Sequence, residues 1–124
     1  MPHETLQRCI EACLECATAC EHCASACLQE NDPKPMARCI QLDLDCAQLC
    51  HTAASLMGRG SGFAAEICTL CATICDACAN ECRRHAVEHC QRCADACERC
   101  AVECRRMGAA AAPSTASTTA HGSH

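Results

Sequence analysis

The sequence predicts an all-α protein, an antiparallel up-down-up-down four-helix bundle with a cysteine-lined core. Nineteen of its 124 residues are cysteine. Most of them recur at alternating steps of three and four residues, which is the heptad seam of a helix packed in a bundle. Segments rich in proline or glycine separate the first seam from the second and the second from the third. Leucine and isoleucine normally occupy such positions, so the core of this bundle is expected to consist of thiols.

The first helix is predicted over about residues 5–29. It ends before a segment that carries Pro33 and Pro35, because two prolines in three residues stop one helix and suit the first turn of the next. Its seam is entirely thiol and comprises Cys9, Cys13, Cys16, Cys20, Cys23 and Cys27.

The second helix is predicted over about residues 35–57, and the glycine-rich segment 58–62 closes it. Its seam is less regular and reads Met36, Cys39, Asp43, Cys46, Cys50, Ala53 and Met57. A separate stripe of Leu42, Leu49 and Leu56 repeats every seven residues. We expect that stripe to pack on neighbouring helices or on another subunit.

The third helix is predicted to begin near Phe63 and the fourth to end near Met107. Their seams comprise Cys68, Cys71, Cys75, Cys78 and Cys82, followed by Cys90, Cys93, Cys97, Cys100 and Cys104. No glycine or proline separates the two seams. However, Cys82 and Cys90 are eight residues apart, whereas a continuous seam would need seven. The extra residue rotates the seam by about 100°, which predicts a turn at residues 84–87.

The composition divides the chain into a bundle at residues 1–107 and a tail at residues 108–124. The tail is small, polar and without periodicity, which is typical of a disordered low-complexity segment. It carries His121 and His124, which we expect to be solvated.

Composition and charge also restrict the classes of partner. The chain has one Phe, no Trp and no Tyr, so alanine and short aliphatic residues must pack its core, and bound metal or oligomerisation is expected to stabilise it. A formal net charge of −5 without a basic stripe argues against nucleic acid. Neither a signal peptide nor a membrane span is visible, so we expect a cytoplasmic protein with reduced thiols. An odd number of cysteines agrees, because they cannot all pair within one chain.

The thiol seams predict binding of many soft metal ions. Residues three or four apart on a helix have Cβ atoms roughly 5–6 Å apart, so CxxC and CxxxC steps such as Cys13/Cys16 and Cys9/Cys13 can hold a small ion. Cu(I) is soft and favours thiolate. One Cu(I) per thiolate leaves the core close to neutral, whereas each tetrahedral zinc site with four thiolates keeps a charge of −2. Charge therefore favours many Cu(I) ions in a shared core.

Other functions of the cysteines fit the sequence less well. A thioredoxin-type CxxC needs a βαβ setting, and no strand pattern occurs. Iron–sulfur proteins favour loop-borne C-x₂-C-x₂-C spacing, which is absent. A purely structural core of buried cysteine does not explain thiols at nearly every seam position. No nucleophile–base pair or phosphate loop indicates an enzyme.

Residues other than cysteine form weaker candidates for metal ligands. His85, His89 and Met36 are predicted at one end of the bundle, where imidazole and thioether groups can capture an ion and pass it inward. Asp43 is predicted inside the thiol column, as a hydrogen-bond partner of thiols or an oxygen ligand. The opposite end is predicted to collect four further side chains, Met57, Met107, His3 and His51.

The cysteine ladders on helices one, three and four resemble those of the bacterial copper storage proteins, and the resemblance covers about residues 5–107. It implies an antiparallel four-helix bundle, a homotetramer, and storage or buffering of many Cu(I) ions in the cytosol. It also implies that the ligands are the seam cysteines together with Cys39, Cys46 and Cys50. The alternatives are a general thiol sink for zinc, cadmium or mercury, and a chaperone that donates copper to one partner.

Overall fold

The computed structural model describes residues 3–111. They form four α-helices and one short 3₁₀ turn at Lys34–Met36. The helices are α1 (His3–Leu28), α2 (Ala37–Gly58), α3 (Ala64–Arg83) and α4 (Glu88–Ala111). The described part of the chain contains no strand. The predicted all-α class with four helices is confirmed.

The four helices pack in a square. α1 packs against α2 and α4, and α3 packs against the same two neighbours. Sulfur contacts set the register of the antiparallel α1/α4 pair, with Cys13 beside Cys104 at one end and Cys27 beside Cys90 at the other. Connections of a few residues allow consecutive helices to lie antiparallel. Every thiol seam therefore points to one shared axis.

The turn between α3 and α4 lies where the register slip predicts it, at residues 84–87. Arg83 fixes this turn from the last residue of α3. Its guanidinium donates to the side chain of Gln91 at 2.9 Å and to the carboxylates of Asp95 at 2.6 Å and Glu98 at 2.9 Å, all on α4. The Gln91 amide in turn donates to the backbone carbonyl of His85 at 2.8 Å. This network ties the turn, including the backbone of His85, to α4.

Three helix boundaries differ from the predictions by a few residues. α1 begins at His3, and the residues from Lys34 to Met36 form a 3₁₀ turn before α2 begins at Ala37. α4 continues through Ala111, past the predicted end at Met107, because the segment after it is rich in alanine, the best helix former. The rest of the predicted tail, with His121 and His124, lies outside the described residues.

Alanine fills the space beside the thiols. Buried alanines flank the seam at heptad spacing on each helix, among them Ala17, Ala24, Ala47, Ala54, Ala72, Ala79, Ala94 and Ala101. Their small side chains let the helix backbones approach closely, which brings thiols of facing helices together. Leu42, Leu49 and Leu56 are partly buried and pack on the core of their own chain. None of the described helices combines the length and the hydropathy that a membrane span requires.

Candidate metal centre

The nineteen cysteines form one buried column along the bundle axis. All are free thiols. Each is fully buried except Cys93, which is 1% exposed. A structural role alone would leave these sulfurs packed as small hydrophobic groups. Their mutual contacts show that they instead face one another.

The closest sulfur contacts join different helices. On the α2/α3 side the Sγ–Sγ distance is 3.5 Å for Cys39/Cys82 and 3.6 Å for Cys46/Cys75. On the α1/α4 side, Cys20 lies 3.6 Å from Cys97. Contacts at 3.8 Å join the two sides through Cys16/Cys46 and Cys50/Cys100. The column is therefore continuous across all four helices.

Within a helix, the sulfur contacts of the described core join cysteines four residues apart. They are Cys16/Cys20, Cys23/Cys27, Cys71/Cys75, Cys78/Cys82, Cys93/Cys97 and Cys100/Cys104, at 3.8–4.0 Å. The CxxC pairs make no such contact. Four residues advance a helix by about 400° and three by about 300°, so thiols four apart lie more nearly above one another. CxxxC steps and contacts between helices are thus the units of the column, rather than the CxxC pairs that spacing suggested.

Groups of four sulfurs lie close enough to share metal ions. In at least five groups all four Sγ atoms lie within 4.8 Å of one another. These groups are Cys13/Cys71/Cys100/Cys104, Cys16/Cys46/Cys50/Cys75, Cys16/Cys20/Cys46/Cys97, Cys20/Cys78/Cys93/Cys97 and Cys23/Cys27/Cys39/Cys90. Each group draws on three helices, and some share members. Overlapping groups suit bridged clusters better than separate single-ion sites.

Asp43 lies inside the column, as its seam position predicts. It is fully buried. Its Oδ1 accepts S–H bonds from Cys78 at 3.2 Å and Cys93 at 3.3 Å, and Cys82 approaches the same oxygen at 3.6 Å. Burial, reinforced by the charge of neighbouring Cys93, raises the pKa of the Asp43 carboxyl from 3.8 to about 8. The Asp43 carboxyl is therefore protonated throughout the acidic range.

Burial also favours the protonated form of two thiols at one end of the column, Cys27 and Cys90. Loss of hydration raises the pKa of Cys27 to about 11, and the same cause raises the pKa of Cys90. A thiolate is the form that binds a metal ion. Ions that bind these sulfurs must therefore displace protons, and their positive charge replaces the charge that the protons carried.

The end of the bundle with both turn-region histidines brings His89 to the thiols. The Nδ1 atom of His89 lies 3.6 Å from the Sγ atoms of Cys23 and Cys90, and 4.0 Å from that of Cys27. His85 lies nearby in the chain, and its Nε2 pairs with Glu81 at 2.9 Å. Met36 is buried at 7% exposure. His89 is thus the predicted histidine whose ring contacts the core.

The opposite end carries the two predicted methionines. Met57 and Met107 are buried and line a cavity of about 430 Å³ beside the glycine-rich loop. His3 is exposed at the start of α1. The prediction that His51 belongs to this end is wrong. Its ring lies on the outer surface, 3.3 Å from Glu21 of α1, because residue 51 follows the seam cysteine Cys50 and points away from the axis.

Sequence reasoning missed the carboxylates that hold the two histidines. Glu81, near the end of α3, precedes His85 in the following turn by four residues, and that spacing favours a side-chain pair. Glu30, which lies 2.9 Å from His89, belongs to the turn that follows α1 and is far from His89 in sequence. The sequence spacing therefore does not predict the pair of Glu30 and His89.

Comparison with known proteins agrees with this site. A family model described as copper storage protein matches residues 2–109. The uncharacterized cysteine-rich protein YhjQ of Bacillus subtilis strain 168 is 48% identical over 79 residues, which are 64% of this chain and 73% of that protein.

Solved structures show the same fold with copper. The Cu(I)-bound copper storage protein BsCsp3 is 47% identical, with a TM-score of 0.81 over 84% of this chain and 98% of that one. A cytosolic copper storage protein from Streptomyces lividans, caught during loading with five coppers, is 42% identical. Its TM-score is 0.83 over 86% of this chain and 93% of that one.

Proposed function

This chain belongs to the copper storage protein family, and from that premise we propose that it stores and buffers many Cu(I) ions in the cytosol. The observation that carries the proposal is the continuous column of nineteen buried thiols with sulfur contacts of 3.5–4.0 Å. Cu(I) prefers thiolate, and the column offers that ligand in bulk. Storage needs capacity rather than a reacting site, and the column supplies capacity.

We propose that all nineteen cysteines are Cu(I) ligands and that bridged clusters fill the column. The overlapping four-sulfur groups support this arrangement, because one thiol belongs to more than one group. Cysteines shared between clusters keep the number of ions close to the number of thiolates. The buried core then stays near neutrality, whereas an uncompensated set of buried thiolates would be strongly destabilising.

Asp43, His89, His85 and Met36 are proposed as additional ligands. Asp43 offers an oxygen among three thiols, and His89 offers Nδ1 beside two sulfurs at 3.6 Å. Imidazole is a borderline ligand that suits copper and zinc alike. We expect His89 and His85 to hold Cu(I) transiently at the end of the column, while thiolates deeper in bind it more tightly.

A general thiol sink for zinc or similar ions is the second candidate. The four-sulfur groups favour it to some degree, because tetrahedral zinc sites use four ligands. Nineteen thiols would then hold only about four ions. Each site would keep a charge of −2 in the buried core. That charge makes zinc the poorer cargo.

We also propose a cytosolic location and a homotetramer. The likeness to the cytosolic copper storage protein of Streptomyces lividans supports the first. The shortage of large apolar side chains supports association, because a core built largely of alanine and cysteine gains little stability from burial in one chain. Analytical ultracentrifugation of the reduced protein tests the second, and a lone monomer at high concentration would rule it out.

Titration of the reduced protein with Cu(I) against a competing chelator tests the storage function, with Zn(II) run in parallel. We expect each chain to bind many more Cu(I) ions than the four or so Zn(II) ions that tetrahedral sites allow. Replacing Cys50 and Cys100 by alanine should lower the capacity, whereas Leu44→Ala on the exposed surface should not. Saturation near four equivalents of Cu(I), or tighter filling by Zn(II), would refute copper storage.

A further inference from the structure

At the end of the bundle near the α3/α4 turn, His85 and His89 are each paired with one carboxylate. His89 Nε2 lies 2.9 Å from Glu30 Oε2, and His85 Nε2 lies 2.9 Å from Glu81 Oε2. The two pairs have the same length but different settings. Glu81 and the nearby His85 lie at the junction of α3 and the turn that follows it, whereas Glu30 joins the turn after α1 to His89 on α4.

The second nitrogen of the His89 ring, Nδ1, determines what the carboxylate at Nε2 can do. Its Nδ1 faces the sulfurs of Cys23 and Cys90 at 3.6 Å. A neutral imidazole carries its one proton on one nitrogen and a lone pair on the other. A carboxylate acceptor at Nε2 favours the proton on Nε2, which leaves the lone pair of Nδ1 directed at the thiols.

We propose that Glu30 is a positioning residue for copper uptake, because it fixes the His89 tautomer and ring orientation with the Nδ1 lone pair facing the thiol column. Carboxylate partners of this kind orient metal-binding histidines and raise their basicity. The inference rests on the proposed storage of Cu(I). It adds a residue that does not itself touch the ion.

The position of Glu30 also fits this role mechanically. Its backbone N–H donates to the carbonyl of Cys27 at 3.2 Å, so the residue is anchored in the turn that follows α1. Its side chain is 37% exposed and the His89 side chain is 14% exposed. Glu30 therefore reaches the ring from the solvent side, and a substitution there leaves the buried thiols in place.

His85 and Glu81 supply a matched comparison. Within the described residues, the contacts of the His85 ring include the Glu81 carboxylate and none of the core sulfurs. The tautomer of His85 therefore has no direct bearing on the sulfur column. The same charge change at Glu81 and at Glu30 separates general electrostatics from the orientation of His89.

The test combines Glu30→Lys with Glu81→Lys. A lysine ammonium donates, so Glu30→Lys should place a donor at His89 Nε2 and drive the proton of the neutral ring to Nδ1. Nitrogen-15 NMR of the metal-free protein, at a pH where the ring is neutral, reports the protonated nitrogen directly. We expect Nε2–H in the unaltered protein and in Glu81→Lys, and Nδ1–H in Glu30→Lys.

Stopped-flow measurement of the first Cu(I) taken up supplies the functional readout. We expect Glu30→Lys to slow it by about 10-fold, with total capacity almost unchanged, and Glu81→Lys to slow it clearly less, because the His85 ring that Glu81 holds contacts Glu81 rather than a core sulfur. Glu30→Ala, which removes the acceptor without adding a donor or a positive charge, should also slow uptake, and far-UV circular dichroism verifies that each variant is folded.

Two results would overturn the role of Glu30. One is a proton on His89 Nδ1 in the unaltered protein. The other is equal slowing by both lysine variants, which would assign the effect to charge alone. A low copper capacity in all the proteins would instead overturn the storage function, and the NMR result would still stand by itself.

Discussion

The two ends of the bundle differ in chemistry although the thiol column reaches towards both. At the histidine end, His89 lies 3.6 Å from two core sulfurs and is tied to a carboxylate that is partly exposed to solvent. At the methionine end, Met57 and Met107 are buried under the glycine-rich loop. The first end offers a polar path to the thiols, and the second offers an apolar cap.

This difference indicates a division of labour between the ends. Imidazole, carboxylate and thiol together can pass a soft cation inward in steps. Buried thioethers contribute mainly apolar packing, although sulfur is also a weak soft ligand. We therefore expect substitutions at the histidine end to change the rate of copper exchange and substitutions at the methionine end to change stability.

The largest effect should come from the column between the ends. If one end only admits ions and the other only seals the core, copper stabilises the protein mainly through its bonds to the thiols. Removing the copper should then lower the melting temperature strongly. An ion present at a thousand times its dissociation constant adds about 4 kcal/mol. Far-UV helicity should survive, because alanine packing and helix propensity remain.

Circular dichroism of the reduced protein with and without copper measures both quantities. A random-coil spectrum for the metal-free protein would show that metal, rather than packing, forms the helices. Reloading the same sample with Cu(I) serves as the control for irreversible damage.

Truncation of the cap should have the next largest effect. Met57→Ala removes a side chain that is 2% exposed, and buried methionine truncations cost about 2–5 kcal/mol of unfolding free energy. Met57→Leu keeps the volume and should cost less than about 1.5 kcal/mol. Urea denaturation of the metal-free proteins measures both. If Met57→Ala slowed copper uptake strongly but hardly changed the free energy of unfolding, the proposed division of labour between the two ends would be wrong.

Removal of both imidazoles should slow exchange without reducing storage. We expect the double replacement of His85 and His89 by alanine to slow loading and chelator-driven removal by about 10- to 100-fold. The matched control is the double replacement of Met57 and Met107 by leucine, which should leave both rates near their original values. Stopped-flow kinetics and end-point titration separate rate from capacity. Unchanged rates with a capacity lower by several ions would make the histidines storage ligands and place the route elsewhere.

The last prediction concerns the pH dependence of stability, to which Asp43 should contribute in the metal-free protein. Its folded pKa is raised from 3.8 to about 8, so the folded state holds this proton more tightly than the unfolded state does. The associated stability is complete below about pH 4 and is lost as the pH rises through about 8. Asp43→Asn should therefore flatten the dependence of the urea midpoint on pH in this window. Parallel curves for both proteins would contradict the raised pKa.

The helices and the thiol column could be predicted from the sequence because both follow from local periodicity. The step of eight residues from Cys82 to Cys90 was sufficient to place the turn at residues 84–87. Asp43 could be placed inside the core because it occupies a seam position. Residue 51 immediately follows such a position, and the outward direction of His51 follows from that.

The rest depends on packing between helices, which periodicity does not contain. The sulfur contact between Cys50 and Cys100 needs the relative heights of α2 and α4. The pair of Glu30 and His89 joins positions that only the fold brings together. The preference of sulfur contacts for steps of four over steps of three follows from helix geometry, yet motif spacing alone favours the CxxC pairs.

The central claim is that one Cu(I) replaces the proton of each thiol, so that the buried column stays close to neutral while it fills. Native mass spectrometry of the reduced protein during Cu(I) addition tests this directly, because it counts ions and lost protons in the same spectrum. The account predicts a series that extends well past the four or so ions of tetrahedral sites, with each added copper accompanied by the loss of one hydrogen. A series that ends near four ions, or copper bound without matching loss of protons, would contradict it.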